Sequence, residues 1–181
     1  MSNPWTTIAL LLSLILIQAE RNAYGKELQT NYATITYSDD ELLNKFNKNI
    51  TLTRQLRLMM RNKKIFTIQD EVKGKVDIIV EKVETVLEMF PNILQFNLNV
   101  LATAGDVQQV YQARYGKRAD HIAYYSLKDK TITISTQDAS LRVLSHEIGH
   151  VVVDHYYKIR TPSKIQEVLA QYAEKYTSRD E

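Results

Sequence analysis

The chain has 181 residues and not one cysteine. That absence excludes disulfide scaffolds, thiolate zinc sites, iron–sulfur clusters and cysteine nucleophiles together. A metal, if the protein holds one, must be bound by His, Asp or Glu. Glycine and proline are scarce, at five and three residues, which leaves little material for linkers, and no segment repeats. Neither sign of charge dominates. Against 23 Lys+Arg stand 21 Asp+Glu, a net charge of +2, so no nucleic-acid partner is expected. What remains is an ordinary globular composition, 44% hydrophobic and 24% charged, long enough for one domain with a real core.

Long hydrophobic runs are also missing, with one exception. Residues 1–19 carry no charged side chain, and Ile8–Ile17 reads IALLLSLILI. The run is shorter than the roughly 20 residues of a membrane-spanning helix and fits the apolar region of a secretory signal. Residues 1–19 are therefore expected to be a signal peptide ending at Ala19, or an uncleaved anchor. The leading MSNPWTT lacks the usual Lys or Arg, and a buried N-terminal helix is the alternative. On this reading residues 20–181 form a single exported domain, periplasmic or secreted, with no stable membrane span after cleavage.

The rest of the chain reads as α+β. Tyr32–Tyr37 (YATITY) is rich in strand formers, and Ser38 to Glu41 spells a capping box ahead of Leu42, Leu43 and Phe46. Residues 52–64 mix Leu52, Leu56, Met59 and Met60 with Arg54, Arg57, Arg61, Lys63 and Lys64. A solvated helix face explains that basic run better than lipid contact does. Helical spacing of apolar residues from Val76 to Phe90 stops at Pro91. Leu94, Phe96, Leu98 and Val100 then alternate with Gln95, Asn97 and Asn99, the pattern of a one-sided strand. Residues 106–115 read as a helix closed by Gly116, and Ile122–Ser126 with Thr131–Ser135 as a hairpin. A helix is expected from about Asp138 to Tyr157. A last one should be capped by Thr161, with Pro162 at its first position.

Three of the four histidines lie within ten residues, and His146-Glu147-Ile148-Gly149-His150 has the form H-E-x-x-H. Four residues is about one helical turn, so His146 and His150 share a face on which two imidazoles can reach one ion. Glu147 lies a step around, close to the ion yet available as a base. Leu141, Leu144, Ile148, Val151 and Val152 gather on the opposite side of the same wheel, giving the helix a core face and a histidine face. His155 falls on the core side and reads as structural. His121 precedes a strand without a nameable partner and reads as a loop histidine.

The third ligand has to come from elsewhere. Glu167 and Glu174 are seven residues apart on one face of the last helix, and spacing alone does not choose between them. On that helix Ile165, Val168, Leu169, Tyr172 and Tyr176 form the apolar stripe, and Glu167 points away from it.

HEIGH followed 17 residues later by EVLAQYAE resembles the gluzincin branch of the zincin metallopeptidases, over about residues 120–176. In that family a helix of the type E-x-L-A-x-Y supplies the third zinc ligand, and the matching residue is Glu167, leaving Glu174 solvated. The resemblance implies a zincin-like fold: a small mixed or antiparallel sheet with a β-hairpin, an edge strand (here Thr131–Ser135) along the cleft, the H-E-x-x-H helix and a C-terminal helix. Many relatives carry an acidic residue four places after the glutamate ligand, where this chain has Gln171. Asp154 is the substitute expected to steady a ligand histidine. The function implied is hydrolysis of a peptide or protein substrate. Zn²⁺ sits on His146, His150 and Glu167, and Glu147 is the general base for the attacking water. Tyr156, Tyr157, Tyr172 and His155 are unranked candidates for an oxyanion donor. The competing reading is a non-catalytic zinc-binding scaffold or binding module of the cell envelope on the same fold.

Overall fold

The structure, a computed structural model, describes residues 25–179; the segment expected to direct export, residues 1–19, lies outside them. Five strands and six helices follow one another along the described chain. They are β1 (Lys26–Gln29), β2 (Ala33–Tyr37), α1 (Asp40–Asn49), α2 (Arg54–Met60), α3 (Ile68–Leu87), β3 (Phe96–Leu101), α4 (Ala104–Tyr115), β4 (Ala123–Ser126), β5 (Thr131–Ser135), α5 (Leu141–Tyr156) and α6 (Ser163–Thr177). Among these residues no helix is long and apolar enough to cross a membrane.

The strands form one mixed sheet in the order β1-β2-β3-β5-β4. β2, β3 and β5 run parallel, while β1 and β4 are antiparallel flanks. The alternation in β3 is realised as the sequence predicts: Leu94, Phe96, Leu98 and Val100 are buried with Ile35, Ile132 and Ile134. One expectation about the hairpin is corrected. The strand at the edge is β4, not Thr131–Ser135, because β5 is paired on both sides.

Helix boundaries follow their caps. Asp39, rather than Ser38, caps α1 by accepting the Leu42 N–H at 2.9 Å. A reciprocal Thr67–Asp70 box starts α3 well before the expected Val76. This 20-residue helix is buried on several sides, through Val72, Val76, Ile78, Ile79, Val80 and Val83, as a helix enclosed by neighbours must be. Ser140 caps α5, accepting the Val143 N–H at 3.2 Å. The last helix differs from expectation at its start. Pro162 occupies the cap position without a side-chain bond, and the Thr161 hydroxyl is buried and makes no hydrogen bond.

α6 packs on α5 and α3, through a face the apolar pattern did not indicate. Gln166, Ala170, Ala173 and Thr177 are buried, whereas Ile165, Val168 and Tyr172 are exposed, Val168 at 62%. The reason lies in α5. A Cβ at Gly149 would stand 2.9 Å from the Ala170 Cα and 3.1 Å from the Ala173 Cβ. The helices approach so closely that only small residues fit between them. That contact brings the glutamate side of α6 to the histidine face of α5.

Candidate metal centre

The core face of α5 is as its periodicity requires, with Leu144, Ile148, Val151 and Val152 fully buried. Across from it, the rings of His146 and His150 lie 4.9 Å apart. Glu167, in the second turn of α6, reaches across. One carboxylate oxygen is 3.6 Å from His146 Nε2 and the other 3.6 Å from His150 Nε2. One ligand atom from each of the three side chains lies within 4.8 Å of the others, so the group could hold a metal ion. Donors around a tetrahedral ion with bonds of about 2.0–2.1 Å stand roughly 3.3 Å apart. The two carboxylate–imidazole distances of 3.6 Å approach that value and are too long for direct hydrogen bonds. Two imidazoles and one carboxylate also leave a fourth position, and the half-exposed Glu167 keeps that side in contact with solvent.

The electrostatics suit a cation. Burial, with His146 alongside, pulls His150 down to about 4, so its imidazole is neutral and its lone pair available; the charge of Glu167 opposes the shift only in part. Glu147, 7% exposed, is pushed up to about 8 by burial and then by the charge of Glu167, while the Tyr125 backbone N–H it accepts works the other way. Its carboxyl group lines the same cavity as the three candidate ligands and is anchored to edge strand β4.

Glu174 is not solvated, contrary to expectation. Its Oε2 accepts the Nδ1–H of His146 at 3.2 Å, and its Oε1 accepts from Arg142 Nε at 3.0 Å and Nη2 at 2.6 Å. A carboxylate can only accept, so Nδ1 is the donor in this contact, and Nε2 is the ring nitrogen that faces Glu167. Asp154, the expected substitute, is engaged elsewhere. It accepts the Tyr125 hydroxyl at 2.8 Å and pairs with Lys130. Gln171 donates to Glu167 Oε1 at 3.0 Å, steadying the carboxylate from the same helix.

A cavity of about 510 Å³ opens over these groups. Its lining includes His146, Glu147, His150 and Glu167 together with Tyr111, Tyr115, His121 and Tyr124, the last of these on β4. His121 is therefore no plain loop histidine; its ring meets Tyr111 edge-on at 4.6 Å. Tyr156, Tyr157, Tyr172 and His155, the expected oxyanion donors, do not line the cavity. His155 instead bonds the carbonyls of Val151 and Gln95, at 2.8 and 3.0 Å, a structural role as read from its place on the wheel. The sequence does carry a signal for the aromatic side: Tyr111 and Tyr115 are one helical turn apart, and His121 and Tyr124 follow closely.

Comparison of the chain with protein-family models, with curated proteins and with solved structures finds no match.

Proposed function

We propose that the chain is an exported zinc peptidase of the gluzincin type, with residues 20–181 as a single zincin-like domain. One observation carries the reading: His146, His150 and Glu167 converge from two helices, with the carboxyl group of Glu147 buried at the same cavity. The donor set, two imidazoles and a carboxylate without any thiolate, suits zinc with an open position. Zinc held there supplies a Lewis acid and lowers the pKa of a water molecule.

The protein's own groups account for the rest. Glu147 takes the proton of the attacking water and returns it to the leaving amine. Its bond to the Tyr125 N–H holds the carboxylate against β4. Outward-pointing backbone groups recur at alternate residues of an antiparallel strand. Ala123, two residues before Tyr125, therefore presents its N–H and C=O from the same edge. An extended peptide can add to β4 there as a further strand, with its backbone passing over the metal ligands.

The test combines metal analysis of the purified protein with digestion of a peptide library by wild type and Glu147→Gln. One zinc per chain in both, with cleavage only by wild type, is the expected result. Zinc in both with cleavage by neither would favour the non-catalytic scaffold. Absence of zinc from wild type would end the reading.

A further inference from the structure

The aromatic side of the cavity is organised around Tyr111. Its ring contacts Tyr115 at 4.6 Å, His121 at 4.6 Å and Tyr124 at 5.1 Å, the last two edge-on. The group is held from behind by a chain of polar contacts. The Tyr115 hydroxyl donates to Ser126 Oγ at 2.9 Å, Ser126 Oγ donates to Asp129 at 2.9 Å, and Asp129 pairs with Arg114. A wall fixed in this way is formed before any ligand arrives, so little ordering entropy is lost on binding.

Its charge is also defined. Asp129 and Arg114 neutralise each other, which leaves no net charge behind the rings to attract an ionic side chain. The surface offered to a ligand is aromatic and braced by the polar contacts behind it. It lines the same cavity as His146, His150 and Glu167.

We propose that Tyr111, Tyr115, His121 and Tyr124 form the subsite that takes an aromatic or large aliphatic side chain of the substrate, next to the bond to be cleaved. This rests on the peptidase reading above and adds the substrate class. A side chain laid against the wall meets ring edges and faces in the offset and edge-on geometries that aromatic pairs favour. Burying such a side chain in a preformed apolar subsite is worth about 10-fold or more in selectivity over a methyl group. A small or charged side chain at that position gains nothing comparable.

The experiment measures binding rather than turnover, using the zinc-loaded full chain and two metal-chelating probes. Acetohydroxamic acid carries a methyl group, and 3-phenylpropionohydroxamic acid carries a phenyl ring on a short stem able to reach the wall. Titration calorimetry on wild type should find the phenyl compound at least about 10-fold tighter. In Tyr111→Ala, and separately in Tyr115→Ala, where the side chain is exposed and its loss leaves the core untouched, that ratio should fall to within about twofold of one, with zinc content unchanged. Equal affinities in wild type would overturn the subsite and leave the metal centre standing. A ratio that survives both substitutions would overturn the assignment to this wall. Binding of neither compound would overturn the metal centre, and the subsite with it.

Discussion

His146 is held on both sides by carboxylates from one helix: Glu174 takes its Nδ1–H at 3.2 Å, and Glu167 stands 3.6 Å from its Nε2. Two turns of α6 separate the two acids, and the imidazole spans the gap between their carboxylates. One holds the ring through Nδ1, and the other faces Nε2, the nitrogen that could meet an ion.

Glu174→Ala should therefore weaken zinc binding by about 10- to 100-fold, the usual cost of losing the group that orients a ligand histidine. Arg142→Ala should cost much less, because the Arg142 side chain is 71% exposed and such an ion pair is screened by solvent. Competition titrations against a chelator of known zinc affinity would measure both. Near-wild-type affinity in Glu174→Ala would mean that the contact does not orient the ring.

Removal of a ligand should do more. Ala at His146, His150 or Glu167 leaves two protein ligands where a stable open zinc site has three, so each variant should lose its zinc to dialysis. Glu147→Gln should retain it, since the proposed function makes Glu147 a base and not a ligand. Mass spectrometry under native conditions would register the ion directly. Retention of zinc by all three alanine variants would locate the site elsewhere.

Gly149→Ala tests the helix contact on which the centre depends. The new Cβ would meet the Ala170 backbone at 2.9 Å, closer than real Cβ contacts, and backbone cannot step aside as a flexible side chain can. α6 has to shift, at a cost of about 1–3 kcal/mol, and Glu167 moves away from the histidines. Chemical denaturation should show the loss in stability and a chelator titration the accompanying loss of zinc affinity. Unchanged values for both would mean that the close approach is not required.

Ser145→Ala should change stability in the opposite direction. The Ser145 side chain is fully buried in α5, next to His146, and its hydroxyl makes no hydrogen bond. Burying such a group costs about 1–3 kcal/mol, and alanine removes it without leaving a large cavity while favouring the helix. A gain of about 1 kcal/mol is expected, read from urea midpoints at constant slope. A loss of that size would indicate a bonded hydroxyl.

The sequence by itself determined what depends on near neighbours. The four-residue spacing of His146 and His150 fixed their common face, because a helix repeats every 3.6 residues. The same period put Leu144, Ile148, Val151 and Val152 on the core side, and alternation defined the buried face of β3. Neighbours in space were a different matter. Seven residues are close to two full turns, so Glu167 and Glu174 were equivalent by period, and only the docking of α6 gave each its role. Hydrophobicity does not mark that docking. The true contact is Gly149 against Ala170 and Ala173, where small size allows close approach, while the more apolar Ile165, Val168 and Tyr172 are left outside. His121 and Tyr111 are near in sequence, but no single period links them to each other or to the histidine helix. They meet because α4 and the strand β4 flank one cavity. Periodicity is a property of one element, whereas a site made between elements depends on how closely they pack.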